Sequence, residues 1–255
     1  MKKKILHLCH LYPNTLNMYG DRGNVMVLKK RCSWRGFLLE ITELFVGDDN
    51  IDFSTFDLLY IGGGGNRQQQ LVYQDLLKRA ENLRSAVQQG VVLLAISSGF
   101  QLMGISFGPE DGTEYSAVGV FDAYSITEGQ HMVGQVVVKS SMLKSQPTVV
   151  GFENHFGRTY LGQYPSPFGQ VIKGIGNNGE DGTDGAVSYN AFGTYLHGAV
   201  LPNNPHFADL LLRRALQQRD DEIELTNLTD EFEWKAHRSA LKRAGVSYGG
   251  EVFTA

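Results

Sequence analysis

One short apolar run, residues 91–96 (VVLLAI), restricts the fold of this chain more than any other feature. It is apolar on both faces of a strand and follows a long helical stretch at 68–89. Three further strand candidates lie at 5–12, 37–45 and 56–61, and a helix at 22–35 separates the first two. Buried strands separated by helices are typical of a parallel sheet that is covered on both sides. The pattern therefore predicts an α/β fold with a mostly parallel central sheet and helices on both faces.

The chain beyond residue 105 consists of short β-rich segments separated by Gly, Asn, Asp and Pro. These segments are 118–120, 135–138, 149–152, 169–172 and 186–188. Because no linker-like stretch divides them from the rest, we expect an antiparallel extension of the same sheet. An amphipathic helix at 207–219 closes a single domain over residues 1–219. An acidic tail at 220–255 follows, in which we expect a short helix at 233–244 that faces a partner.

The composition argues against several classes of protein. With 23 Lys and Arg against 27 Asp and Glu, the formal net charge of −4 argues against a nucleic-acid binder, which normally carries a basic stripe. No apolar run approaches the roughly 20 residues needed to cross a bilayer. The basic start has too short an apolar run for a signal peptide, so we expect a cytoplasmic protein. The two cysteines and seven histidines show no metal-ligand spacing, and we expect neither a metal nor an organic cofactor in this chain.

The segment after the apolar run has the layout of a nucleophile elbow. Residues 95–99 read Ala-Ile-Ser-Ser-Gly, with small residues two places before and two places after Ser97. This spacing lets a strand turn sharply into a helix and exposes the central side chain at the carboxyl edge of the sheet, where ligands bind in open α/β folds. A plain helix N-cap explains the same serines, and this segment alone leaves both interpretations open.

Two further strand ends favour a catalytic site. Four glycines at 62–65 follow a predicted strand and precede a helix, and such a loop can direct free N–H groups at a developing oxyanion. A flexible turn also accounts for glycines there, although four in succession exceed what a turn requires. His197 ends a predicted strand and is followed by glycine, which suits a general base serving a nucleophile on a neighbouring strand. A lone histidine is otherwise structural or exposed.

Six motifs, occurring in order, give the chain a specific resemblance. They are 19–24 (YGDRGN), 61–64 (IGGG), 96–104 (ISSGFQLMG), 151–159 (GFENHFGRT), 176–178 (GNN) and 193–198 (GTYLHG). With them the chain resembles the class I (triad-type) glutamine amidotransferases, and within these the cobyric-acid-synthase-like branch. It is most similar to the GatD-type glutaminase subunits of bacterial lipid II isoglutaminyl synthase. The resemblance covers roughly residues 4–219.

The resemblance implies a mechanism and assigns residues to it. A nucleophile at the elbow attacks the side-chain amide of glutamine, a histidine moves the protons, and backbone N–H groups hold the oxyanion. The nucleophile position falls on Ser97 and the base on His197. The oxyanion donors fall on Gly63, Gly64 and Ser98.

The same resemblance implies a substrate site and a partner. Gln101, Asn154 and Gly157 match glutamine-binding positions, and His131 stands where a substrate-binding arginine is expected. The implied partner is a Mur-ligase-like (MurT-type) synthetase subunit in a heterodimer, which binds ATP and Mg²⁺ and activates a carboxylate of the peptidoglycan precursor. No acidic residue follows His197 at the usual spacing, which in this branch implies that the partner supplies the orienting carboxylate.

The chain departs from the family at the nucleophile itself. The family has cysteine where this chain has Ser97, and a serine hydroxyl is a far weaker acid than a thiol, whose ordinary pKa is about 8.5. Neither Cys9 nor Cys32 lies in the elbow, and we expect both to be buried in the core. Ser98 replaces a common glycine, and Asn66 replaces a common acidic residue.

Three explanations of Ser97 stay open. First, Ser97 can be an introduced Cys→Ser change that traps substrate. Second, the chain can be an inactive paralogue that kept the fold for binding or regulation. Third, Ser97 can be a serine nucleophile that works with His197. They lead to three functions: the glutaminase subunit of an ATP-dependent amidating complex, a non-catalytic binding subunit, and a serine hydrolase of other substrates. The ordered motifs favour the first.

Overall fold

The computed structural model describes residues 5–108, 112–144, 146–219 and 224–247. Its strands are β1 (Ile5–Leu11), β2 (Leu38–Leu44), β3 (Leu58–Ile61), β4 (Val92–Ile96), β5 (Ser106–Gly108), β6 (Tyr115–Ser116), β7 (Ala123–Lys139), β8 (Thr148–Leu161), β9 (Gly169–Lys173), β10 (Thr183–Asp184), β11 (Ala186–Ser188) and β12 (Ala191–Thr194). Its α-helices are α1 (Arg22–Trp34), α2 (Asn66–Lys78), α3 (Ala80–Gln88), α4 (Ser98–Leu102), α5 (Pro205–Gln217) and α6 (Glu231–Arg243). Short 3₁₀ turns lie at Met18–Gly20, Phe53–Thr55 and Leu201–Asn203.

The central sheet has the strand order β11-β12-β4-β3-β1-β2 within the described residues. Its neighbouring strands are parallel except for the pair β11–β12. Successive side chains of β1 point to opposite faces, so Leu8 enters a core shared with α1 and α5, and Cys9 enters a second core shared with α2 and α3. The predicted α/β class, with a mostly parallel sheet covered on both faces, is confirmed.

Most of the β-rich segments after residue 105 form a second sheet. Its described strands follow the order β10-β9-β7-β5-β6, with β8 paired antiparallel to β7. The predicted extension of the central sheet is therefore limited to β11, and residues 118–120 form a loop. The long β7–β8 hairpin is paired on both sides of an irregularity between Thr127 and Met132. It packs Val136, Val138 and Val149 into the core on the α1–α5 side of the central sheet. An isolated bridge between Phe152 and His197 joins the two sheets beside the candidate site.

The helix predicted at 233–244 is present as α6 and packs against this chain's own hairpin. Its Ala240 and Leu241 share a small core with Val137 and Val150. Residues 220–223 and 248–255 of the predicted tail lie outside the described residues. A domain boundary at residue 219 and a partner-facing role for the outer side of α6 stay predictions.

A buried arginine ties the segment before α6 to the body of the domain. Arg31 of α1 is 1% exposed and binds the carboxylates of Asp209 and Asp230, each at 2.7 Å. A buried cation is retained only when such pairing compensates its desolvation. The chain after α5 is thus anchored to α1 as well as to the hairpin.

Both cysteines lie in the core, as predicted. Cys9 and Cys32 are free thiols with no exposed surface. Burial raises the pKa of each thiol to about 12, so neither carries a thiolate at neutral pH.

Candidate active site

Ser97 occupies a strained turn between β4 and α4. Its backbone adopts φ 54° and ψ −116°, a conformation that costs free energy for any residue with a Cβ. Its side chain makes no capping hydrogen bond to α4. A Cβ at Gly99 would lie 2.6 Å from the carbonyl oxygen of Gly62, so only glycine lets the turn approach the neighbouring loop this closely. These features favour the nucleophile elbow over the plain N-cap.

His197 follows β12, the strand next to β4. Its backbone N–H donates to the carbonyl oxygen of Phe152 at 2.7 Å, and its side chain is almost fully buried. Neither ring nitrogen has a hydrogen-bond partner in the described structure. The ring of Tyr19 packs edge-on against the imidazole, with 5.0 Å between ring centroids. A buried imidazole with two unpaired nitrogens is poised to exchange protons with a bound molecule.

Asp21 is the carboxylate that the sequence interpretation missed. It is fully buried just before α1, and its Oδ1 lies 3.8 Å from Nδ1 of His197 without any hydrogen-bond partner. Its Oδ2 accepts the N–H of Gly63 at 2.7 Å. This separation from the histidine is longer than a hydrogen bond, but catalytic contacts often tighten only when substrate binds. The motif at 19–24 contained this residue, yet only the fold brings it to His197.

The three groups converge on one glycine. A Cβ at Gly63 would lie 2.9 Å from Cε1 of His197, 3.1 Å from Cβ of Ser97 and 3.3 Å from Oδ2 of Asp21. The predicted nucleophile and base are therefore neighbours, and the carboxylate stands on the Nδ1 side of the base. This is the order of groups in a Ser–His–Asp arrangement.

The two loop amides predicted as oxyanion donors are not free. Gly63 donates its N–H to Asp21, and Gly64 donates its N–H to Oγ of Ser98 at 2.7 Å. A substrate oxygen could bind either amide only after the present acceptor moves. The assignment of Gly63 and Gly64 to the oxyanion stays a prediction that requires this rearrangement.

A cavity of about 180 Å³ opens beside Ser97. We call one side the elbow wall, which is the loop at 62–66 and the turn at 97–101; its cavity-lining residues are Gly64, Gly65, Asn66, Ser97, Ser98 and Gln101. We call the other side the hairpin wall, which is 127–131 and 154–157 of the second sheet; its cavity-lining residues are Thr127, His131, Asn154, His155, Phe156 and Gly157. The predicted substrate-binding residues all line this cavity together with Ser97: Gln101, His131, Asn154 and Gly157. The fold thus brings Gln101 of α4 together with three residues of the second sheet, all of which the sequence assigned to one substrate.

The predicted binding residues differ in how far they are already engaged. Gln101 accepts from Nε2 of Gln69 at 3.0 Å and donates to the hydroxyl of Tyr195 at 2.9 Å, so its amide is held by the protein. His131 is exposed, donates from Nε2 to Oδ1 of Asn154 at 2.6 Å, and stacks on Phe156 with 4.1 Å between centroids. His131 therefore marks the mouth of the cavity.

His155 is a second site residue that the sequence interpretation missed. It lines the cavity and stacks on Tyr195, with 3.8 Å between centroids. Its Nδ1 lies 2.7 Å from the carbonyl oxygen of Gly157, and because a carbonyl only accepts, this nitrogen carries the hydrogen. Burial lowers the pKa of His155 to about 3, so the ring is neutral and its buried, unpaired Nε2 is an acceptor.

No metal centre is found in the part of the chain that the structure describes, since no three His, Cys, Asp or Glu side chains group as ligands there. In the same residues no helix is long and apolar enough to cross a membrane.

Comparison with known proteins identifies the family of the chain. Residues 7–205 match the CobB/CobQ-like glutamine amidotransferase domain. The chain is 34% identical over 239 residues to the lipid II isoglutaminyl synthase (glutamine-hydrolyzing) subunit GatD of Staphylococcus aureus (strain N315), covering 94% of this chain and 96% of that protein. It is also 34% identical to the GatD subunit of Streptococcus pneumoniae (strain ATCC BAA-255 / R6), covering 84% of this chain and 82% of that protein. A cobyric acid synthase of Listeria monocytogenes serovar 1/2a (strain ATCC BAA-679 / EGD-e) is 27% identical over 76% of this chain and 39% of its own length.

Solved structures share the fold at low sequence identity. PurLQS from Thermotoga maritima superposes with a TM-score of 0.58 at 16% identity, over 84% of this chain and 99% of that chain. The glutaminase domain of Trypanosoma brucei CTPS with bound acivicin gives a TM-score of 0.50 at 10% identity, over 83% of this chain and 94% of that chain. The domain match and the two GatD relatives cover most of the sequence. This chain therefore belongs to the CobB/CobQ-like glutamine amidotransferase family.

Proposed function

We propose that this chain is the glutamine-hydrolysing subunit of an ATP-dependent complex that amidates the peptidoglycan precursor lipid II. One observation carries the proposal: Ser97, His197 and Asp21 converge on Gly63 beside a cavity that holds the predicted glutamine-binding residues. The GatD relatives, whose names describe glutamine-hydrolysing subunits of lipid II isoglutaminyl synthase, support the choice of acceptor.

The proposed chemistry is hydrolysis of the glutamine side chain through an acyl-enzyme. Oγ of Ser97 bonds to the carboxamide carbon while His197 takes the hydroxyl proton. The C–N bond then breaks as His197 returns that proton to the leaving nitrogen, which departs as ammonia. Water, deprotonated by His197, then bonds to the acyl carbon of the γ-glutamyl ester. The C–Oγ bond breaks as His197 returns the proton to Oγ of Ser97, and glutamate is released. The carboxylate of Asp21 stabilises the imidazolium that forms in each half of the reaction.

The ammonia would be used by a second protein. We propose a Mur-ligase-like synthetase subunit in a heterodimer, which binds ATP and Mg²⁺ and activates the acceptor carboxylate. The names of the two GatD relatives describe subunits, which supports the existence of such a partner. The chain described here would need no cofactor of its own for the hydrolytic half.

Co-expression of the chain with its Mur-ligase-like partner tests this function. Glutamate and ammonia released from glutamine are measured for the chain as it stands, for Ser97→Cys and for Ser97→Ala. We expect turnover by the first, faster turnover by Ser97→Cys because a thiol ionises more readily, and none by Ser97→Ala. Absence of ammonia from both of the first two proteins in the presence of the partner contradicts the proposal.

A non-catalytic binding subunit is the second candidate. It is favoured by the serine at position 97 and by the engagement of the Gly63 and Gly64 amides within the protein. It predicts that calorimetry detects glutamine binding to the chain as it stands, while no glutamate forms over many hours. Any hydrolysis that disappears in Ser97→Ala excludes this candidate.

A further inference from the structure

The hydroxyl oxygen of Ser98 accepts a hydrogen bond from the backbone N–H of Gly64, which the family resemblance assigns to oxyanion binding. Gly64 donates to Oγ of Ser98, and Gly63 donates to Asp21, both at 2.7 Å. The two loop amides are thus both engaged before any substrate arrives. Of the three assigned donors this leaves the backbone N–H of Ser98, which lies at the start of α4 and has no intrahelical acceptor. A second donor beside it would further stabilise the negative charge that develops on the carboxamide oxygen.

The Ser98 hydroxyl itself can be that donor. The side chain is 4% exposed and lines the cavity beside Ser97. A hydroxyl accepts at its lone pairs and donates one hydrogen, so the bond from Gly64 leaves that hydrogen available. Among the described residues, Oγ of Ser98 accepts a hydrogen bond from the N–H of Gly64, and no group accepts the hydroxyl hydrogen of Ser98. Accepting the N–H also polarises the O–H bond, which makes the hydroxyl a better donor.

We propose that the side-chain hydroxyl of Ser98 is an oxyanion donor of this site beside the Ser98 backbone N–H, in a relay that runs from the N–H of Gly64 through the hydroxyl to the substrate oxygen. This inference rests on the proposed function. When Oγ of Ser97 bonds to the carboxamide carbon, its proton passes to His197 and the C=O electron pair moves onto the oxygen. The Ser98 O–H binds that oxygen and keeps its own proton throughout. The bond is released when the carbonyl re-forms and ammonia leaves.

The competing interpretation is that Ser98 blocks the site by covering the Gly64 amide. The two interpretations predict opposite effects of removing the hydroxyl. If Ser98 is the donor, its loss removes transition-state stabilisation. If it is a block, its loss frees the amide and raises the rate.

Kinetics of Ser98 variants separate these outcomes. Glutaminase turnover with the partner is measured in the Ser97→Cys protein, alone and combined with Ser98→Ala, Ser98→Gly or Ser98→Thr. We expect Ser98→Ala and Ser98→Gly to lower kcat by about 10²- to 10³-fold with little change in KM, and Ser98→Thr to restore most of the rate. An unchanged or higher kcat in Ser98→Ala overturns the proposal. If the Ser97→Cys protein itself shows no turnover, the proposed function is contradicted instead. The role of Ser98 is then tested by the structure described next.

A structure of the Ser97→Ala chain with bound L-glutamine supplies that test without turnover. We expect the carboxamide oxygen at about 2.7–3.1 Å from Oγ of Ser98, with the Gly64 bond intact. The oxygen found on the amides of Gly63 or Gly64, with Ser98 turned away, overturns the inference and leaves the proposed function standing. Failure of glutamine to bind in the cavity overturns both.

Discussion

The two walls of the cavity differ in what holds them. The elbow wall is shaped by backbone: the positive φ of Ser97 and glycines whose Cβ positions are occupied by neighbouring atoms. Among its cavity-lining residues the hairpin wall has one such glycine, Gly157, next to Gln101. It otherwise presents side chains, of which His131 and Phe156 are exposed and stack on each other. The predicted nucleophile thus lies in a turn fixed by the central sheet, whereas three of the four predicted substrate-binding residues, His131, Asn154 and Gly157, belong to the second sheet.

Asp21→Asn on the elbow side should have the largest effect. Asparagine can still accept the N–H of Gly63, but it lacks the charge that stabilises the imidazolium of His197. We expect kcat for glutamine hydrolysis to fall on the order of 10²- to 10⁴-fold, with KM little changed. The measurement uses the complex with the partner in the Ser97→Cys background, over a range of pH.

Asp75→Asn is the matched control for this change. Asp75 accepts from the Tyr12 hydroxyl and pairs with Arg79 outside the cavity, so its substitution should lower stability and leave kcat unchanged. If Asp21→Asn also leaves kcat unchanged, the orienting carboxylate comes from the partner, as the family resemblance implies.

The same glycine-to-alanine change should act differently on the two sides. At Gly99 the added Cβ would meet the carbonyl oxygens of Gly62 and Ile61 at 2.6 and 3.0 Å, so we expect the free energy of unfolding to fall by about 1–3 kcal/mol. At Gly134 of β7 it would meet nothing closer than 4.0 Å, and we expect a change within about 0.5 kcal/mol. Urea unfolding of both variants gives the values. Equal losses would show that the hairpin is as tightly constrained as the elbow.

Sequence alone predicts the elbow wall better than the hairpin wall. A buried strand requires a continuous apolar run, such as 91–96, and a sharp turn requires small residues, such as those around Ser97. Both requirements can be recognised within a few residues of sequence. The glycine loop is local in the same way. The second sheet carries no such mark, since short β-rich segments do not reveal whether they extend an existing sheet or pair among themselves.

The sequence did not reveal the roles of Asp21 and His155 because both roles depend on contacts that form only in the folded chain. Asp21 and His197 lie far apart in the chain and meet only because β1 and β12 end at the same edge of the sheet. His155 becomes an acceptor only because the carbonyl of Gly157 fixes its tautomer. The hydrogen bond from the Gly64 amide to Ser98 likewise forms because the segments that follow β3 and β4 lie close together. No pattern within either segment predicts that contact.

The hairpin wall should also make the fold sensitive to acid. Because the folded pKa of His155 is about 3 against an ordinary value of 6.5, the unfolded chain binds a proton between these pH values that the folded chain does not. Stability should therefore fall as the pH drops below 6.5. We expect His155→Phe, which keeps a ring over Tyr195 and removes the titration, to reduce the loss between pH 6.5 and 5 by roughly 1.5 kcal/mol.

Urea unfolding of both proteins at pH 6.5 and pH 5 measures this difference. His10 and His206, whose pKa values burial lowers to about 4, are present in both proteins and should retain part of the dependence. An identical loss in His155→Phe and the parent would mean that His155 is accessible to protons, and that the hairpin wall is looser than its stacking on Tyr195 indicates.

His131→Arg should have the smallest effect, and it acts on substrate binding alone. The histidine is hydrogen-bonded to Asn154 and stacked on Phe156. An arginine would add a permanent positive charge and could form a bidentate hydrogen bond with the α-carboxylate of glutamine. We expect KM to fall about tenfold with kcat unchanged, equivalent to about 1.4 kcal/mol of binding. His131→Gln, which can still donate to Asn154 but carries no charge, should not lower KM. If kcat responds instead of KM, the hairpin wall takes part in the chemistry, and the division of labour between the two walls is wrong.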